Sequence, residues 1–195
     1  MPLDLPPLIL ASGSPRRRQL LETLGWAFRV VPSGTDETHP PATPPEAIPE
    51  LLARRKAQAV APHHPEALIL AADTVVILQD QILEKPADVA EAGAMLRRLS
   101  GRTHTVVTGV ALAYQGRAHS FAERTEVTFA ELLDADIAHY LATTPPLDKA
   151  GAYGVQDYIG LIAVQHLHGC YYTVMGLPTS RLVVELRAFL GQPWA

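Results

Sequence analysis

Three consecutive arginines, Arg16, Arg17 and Arg18, follow Ser12-Gly13-Ser14-Pro15 near the start of the chain. The apolar run Leu8-Ile9-Leu10 precedes them, and Leu20, Leu21 and Leu24 recur at helical spacing after them. That order reads as buried strand, tight turn and helix, with Ser14 as N-cap and Pro15 at the first helical position. Cations are unfavourable at the positive end of a helix dipole, so an anion arriving there would relieve the conflict. Phosphate is the leading candidate, because guanidinium groups bind it bidentately. A solvated basic first turn is the competing reading. No Gly-x4-Gly-Lys-Ser/Thr phosphate loop occurs in the chain.

Asp73 is the most informative acid. It follows the apolar run Ala67-Leu68-Ile69-Leu70-Ala71-Ala72, which places its carboxylate at the expected end of a buried strand. There it can bind a divalent cation, activate water, or cap the next turn. Lys56, inside Arg54-Arg55-Lys56-Ala57, and Lys85, held extended by Pro86, each read alone as solvated charges. Glu37 sits in the turn Gly34-Thr35-Asp36-Glu37, where an acid commonly serves only solubility. Gln156 follows a glycine-rich bend, and its amide, both donor and acceptor, suits the edge of a nucleobase. His104 and the pair His166 and His168 lack a third metal ligand at suggestive spacing and read as a partly exposed strand face.

These side chains need a frame to hold them. At 195 residues, 48% hydrophobic and 18% charged, the chain is an ordinary globular protein. A net charge of −4 argues against a broad nucleic-acid surface. The absence of a long apolar run argues against a membrane span, and a cytoplasmic location is expected. The lone Cys170 excludes an internal disulfide and reads as packing or turn material.

Helices are expected at about 15–24, 46–61, 89–99, 134–143 and 179–190, the fourth capped by Asp134. Strands are expected at 8–10, 67–72, resuming at 75–78, then 82–83, 103–114, 117–132 and 162–168. Alternating helices and strands, with two long neighbouring strands, predict an α/β fold around a mixed sheet.

Taken together, Ala11–Arg17, Asp36-Glu37, Arg54–Ala57, Ala71–Val76, Glu84–Pro86, Leu99–His104, Pro146–Gln156 and Val174–Pro178 resemble, in this order, the Maf family of nucleoside triphosphate pyrophosphatases. The resemblance covers essentially the whole chain, 1–195, as one domain. It implies a mixed-sheet architecture like that of the inosine triphosphatases, two lobes around a cleft, and a homodimer. It also implies cleavage of a nucleoside triphosphate between its α- and β-phosphates, yielding the monophosphate and pyrophosphate.

On that resemblance Lys56, Lys85 and Arg17 neutralise the triphosphate, assisted by Ser12 and Ser14. Glu37 and Asp73 hold Mg²⁺ or Mn²⁺, and Asp73 accepts the proton of the attacking water. Arg16, Thr74 and Gln156 match the form that resembles dTTP/UTP enzymes, whereas the 7-methyl-GTP form differs at these positions. The expected role is housecleaning of the nucleotide pool. The alternatives are a 7-methyl-GTP pyrophosphatase and a non-catalytic nucleotide-binding regulator of septum formation. One departure stands beside the base-reading residue. Asp157-Tyr158-Ile159-Gly160 follows Gln156 where many members of the family run Gly-Leu-Gly-Gly.

Overall fold

The apolar strands β1 (Leu8–Leu10) and β3 (Leu68–Leu78) pair in parallel, with Leu8 opposite Leu68 and Leu10 opposite Leu70. On the other side of β1 lies β2 (Phe28–Val30), also parallel. Beyond β3 the chain turns at Gln79 and Asp80, both at positive φ, into the short antiparallel β4 (Gln81–Leu83). The long strands β5 (Thr103–Tyr114) and β6 (Arg117–Phe129) are joined at Gln115-Gly116, and β7 (Val164–His168) runs antiparallel to β6.

The computed structural model describes residues 3–192. Among them the sheet has seven strands in the order β2-β1-β3-β5-β6-β7, with β4 attached to β3. The helices are α1 (Pro15–Thr23), α2 (Ile48–Val60), α3 (Val89–Leu99), α4 (Asp134–Thr143), α5 (Tyr158–Ala163), α6 (Tyr171–Met175) and α7 (Thr179–Leu190). The mixed-sheet α/β expectation therefore holds. No helix among the described residues is long and apolar enough to cross a membrane.

The chain divides into two compact units, the division falling within β3, β5 and β6. The first comprises the chain up to Asp73, Thr108–Glu123, and Gly176 onward. Its core joins Ile9, Ile69 and Ala71 of the sheet to Ala53, Ala57 and Val60 of α2. Small alanines on both sides let the helix lie close to the strands. The second unit, Thr74–Val107 and Arg124–Met175, holds α3 to α6 and the buried ring cluster of His104, Phe129 and Tyr153.

Five expectations need correction. Asp73 does not end its strand; β3 runs unbroken from Leu68 to Leu78. Asp73 alternates with Ile69 and Ala71 on the face that α2 covers, and a lysine of that helix meets its charge, so nothing forces the strand to stop. Asp134 is not the cap of α4. Leu133 occupies that position, and Asp134 instead accepts a hydrogen bond from Arg97 Nε at 2.8 Å. Tyr158–Ala163, read partly as strand, forms the helix α5, and β6 stops at Phe129 rather than 132. His104 does not lie on a partly exposed face. It is 2% exposed, wedged edge-on between Phe129 and Tyr153, whereas His166 and His168 do lie exposed on β7.

Candidate active site

In the first unit the turn after β1 is built as its sequence implies. Ser14 occupies the N-cap position of α1 in extended conformation with Pro15 next, although its hydroxyl makes no capping bond. Ala11 N–H donates to Leu70 O at 2.8 Å, so the turn starts alongside β3 only three residues before Asp73. Of the three arginines only Arg17 turns inward. Its Nε donates to Gly176 O at 2.8 Å, and an Nη donates to Ser12 Oγ at 2.9 Å. Burial pulls the Arg17 guanidinium below the ordinary arginine value, Asp73 opposes that shift, Arg16 adds to it and Glu37 opposes it. Ser12 Oγ also accepts from Ser14 N–H at 3.3 Å, which leaves its own O–H to donate.

Lys56 departs most from its reading as a surface charge. On α2 it falls four residues before Val60 and four after Leu52, on the face turned to the core. Only 8% of it is exposed. Its Nζ donates to Asp73 Oδ1 at 2.6 Å and to Glu37 Oε1 at 2.7 Å. One ammonium therefore joins a buried strand carboxylate to an exposed loop carboxylate. Asp73 is likewise 8% exposed. A buried charge with no partner is costly, so each member of this pair requires the other.

Sequence reasoning did not find what holds Glu37 in place. Asp36 accepts from Thr38 N–H and from Thr38 Oγ1, both at 3.0 Å, closing the loop on itself. Those bonds, the backbone one first, hold the Asp36 carboxyl below its usual range. Arg55, the helical neighbour of Lys56, donates to Thr38 O. Asp36 and Arg55 both belong to the recognised motifs. Only their shared partner, Thr38, lies outside them.

In the second unit the Lys85 and Gln156 segments meet. Gly151 N–H donates to Glu84 O at 3.2 Å. Gly151 has φ +68°, and a Cβ there would lie 3.0 Å from the methyls of Val76, two residues beyond Thr74. Thr74 is half-buried and Lys85 exposed. Gln156 is half-buried too, and its Oε1 is buried with no hydrogen-bond partner. A buried amide oxygen without a donor is uncommon, and a ligand N–H would satisfy it.

The first unit thus gathers Ser12, Ser14, Arg16, Arg17, Glu37, Lys56 and Asp73, and the second holds Thr74, Lys85 and Gln156. No cluster of three or more His, Cys, Asp or Glu side chains suited to a metal occurs among the described residues. Glu37 and Asp73 offer a smaller donor set of hard carboxylate oxygens around one ammonium. That set fits a Mg²⁺-type cation, which uses one or two protein carboxylates and completes its shell from phosphates and water.

Residues 7–189 match the sequence model that describes Maf-like proteins. A Bacillus cytotoxicus protein named dTTP/UTP pyrophosphatase is 53% identical over 181 residues, covering 93% of this chain and 94% of its own. A Halalkalibacterium halodurans protein of the same name is 52% identical over 181 residues, with 93% and 95% covered. Among solved structures, the Staphylococcus aureus Ham1 protein superposes with a TM-score of 0.50 at 16% identity, covering 94% of this chain and 97% of that one. At that identity the likeness concerns the fold alone.

Proposed function

We propose, from the premise that this chain belongs to the Maf family, that it hydrolyses dTTP and UTP to the nucleoside monophosphate and pyrophosphate. The observation that carries the reading is the Lys56 ammonium, held between Asp73 and Glu37 beside the arginine-bearing turn. Such a site can recruit phosphate and hold a proton acceptor next to it.

Asp73 accepts the proton of the attacking water. In the resting arrangement the Lys56 ammonium occupies Oδ1 of the Asp73 carboxylate. A phosphate oxygen that competes for that ammonium on binding frees Asp73 Oδ1 to accept from water. Lys56, Lys85 and Arg17 offset the charge of the triphosphate, and the Ser12 and Ser14 hydroxyls donate to it. Arg17, already bonded to Gly176 O and Ser12 Oγ, also fixes the shape of the turn.

Two carboxylates facing a triphosphate would repel it, which is the electrostatic reason for a divalent cation on Glu37 and Asp73. When bound, Mg²⁺ or Mn²⁺ supplies charge neutralisation at the phosphates.

Arg16, Thr74 and Gln156 select the base. The unpartnered Gln156 Oε1 supports an acceptor for the N3–H of uracil or thymine, with the amide N–H directed to O4. Cytosine presents an acceptor at N3 and an amino group at position 4, so both partners would be mismatched. The 7-methyl-GTP and septum-regulator alternatives have no comparable support. The same reading makes the protein a cytoplasmic homodimer that clears nucleotides from the pool.

The direct test is product identification with dTTP and Mg²⁺. Equimolar dTMP and pyrophosphate support the proposal, and dTDP with orthophosphate would refute it.

A further inference from the structure

Gln156 sits third in a four-residue turn closed by a bond from Asp157 N–H to Gly154 O at 3.0 Å. The Asp157 side chain folds back beneath that turn. A Cβ on Gly154 would lie only 2.6 Å from Asp157 Oδ2, so the absent side chain is what admits the carboxylate. Tyr140 of α4, fully buried, donates its hydroxyl to Asp157 Oδ2 at 2.9 Å. Lys149, also buried, lies 3.4 Å from the same oxygen and donates to Asp148 Oδ1 at 2.8 Å. Burial, with Asp157 adding to it, pushes the Tyr140 phenol well above its usual value, so it remains an O–H donor.

The segment is fixed elsewhere as well. Tyr153 pairs its hydroxyl with His104 Nε2 at 2.7 Å, and Gly151 seats against Val76. On the far side of the turn, a Cβ on Gly160 would lie 2.2 Å from Val155 O, so α5 packs directly on the backbone beside Gln156. Beside this anchored frame, the Gln156 Oε1 is buried without a hydrogen-bond partner.

We infer that Asp157, clamped by Tyr140 and Lys149, is a positioning residue that sets the direction of the Gln156 amide and thereby the selectivity for the pyrimidine edge. The inference rests on the base-reading role proposed for Gln156. Asp157 need touch no substrate. Its carboxylate holds the last peptide of the turn, and a rotation of that peptide would move the amide out of line with a planar base.

The test compares kcat and KM for dTTP, UTP and CTP in the wild type, Tyr140→Phe, Asp157→Asn, Asp157→Ala and Gln156→Ala, with Tm for each. Tyr140→Phe and Asp157→Ala should raise KM for dTTP about tenfold, leave kcat within about twofold and narrow the preference for dTTP over CTP about tenfold. Asp157→Asn, which keeps an acceptor for Tyr140, should retain most of the discrimination. Adding Tyr140→Phe to Gln156→Ala should change discrimination no further.

If Gln156→Ala abolishes discrimination while the Tyr140 and Asp157 variants change only Tm, the positioning role is wrong and base reading stands. If Gln156→Ala itself leaves discrimination intact, base reading by Gln156 fails and the positioning role falls with it.

Discussion

Lys56 Nζ stands 2.6 Å from Asp73 Oδ1, one on a helix and the other in the middle of a strand, seventeen positions apart and each 8% exposed. Neither residue could be buried alone. Glu37 completes the arrangement from solvent, with about half of its side chain exposed. A metal or a phosphate can reach the Glu37 side of the trio without opening the core.

Asp73→Asn should lower kcat on dTTP by about a thousandfold, within the range general-base catalysis contributes. The fold should persist, because asparagine still accepts from Lys56 and Glu37 keeps its bond. Steady-state kinetics with circular dichroism checks both points. An Asn variant with more than a tenth of wild-type turnover would remove Asp73 from the base role.

Lys56→Met should destabilise the protein by about 3 kcal/mol or more, because it strands the buried Asp73 carboxylate. Millimolar Mg²⁺ should then raise the variant's Tm more than the wild type's, since the cation replaces the missing positive charge between Asp73 and Glu37. Thermal melts with and without Mg²⁺ read this separately from activity. Equal and negligible Mg²⁺ shifts in both proteins would argue against these carboxylates as the metal site.

His104 predicts a pH dependence of stability. Burial lowers its pKa to about 4, its Nε2 pairs with Tyr153 and its Nδ1 has no partner. The unfolded chain binds this proton more readily than the folded one. Stability is therefore full above about pH 6.5 and falls as pH drops toward 4, with a limiting loss of about 3 kcal/mol from this group. His104→Gln should flatten that part of the Tm profile. An unchanged slope in the variant would assign the acid sensitivity to other groups.

Much of the fold was legible in local pattern. Pro15 marks the start of α1 through a backbone rule that acts over a few residues. β2 escaped notice because Phe28–Val30 is too short for a period, and α5 because a short, largely apolar segment reads equally well as strand or helix. The candidate site residues were named through the family motifs, but their burial and partners were not legible there. Lys56 looked like a surface charge because Arg54 and Arg55 precede it, although its spacing from Leu52 and Val60 places it on the face of α2 that packs on the sheet. His104 was misplaced because its burial depends on Phe129 and Tyr153, each more than twenty positions away.

The most direct measurement of the central claim is pyrophosphate release from dTTP, UTP, CTP, GTP and 7-methyl-GTP with Mg²⁺ or Mn²⁺, for the wild type beside Asp73→Asn. Turnover of dTTP and UTP, little of CTP, and near-complete loss in the variant are expected. Turnover of 7-methyl-GTP alone, or no turnover of any triphosphate by the wild type, would contradict that claim.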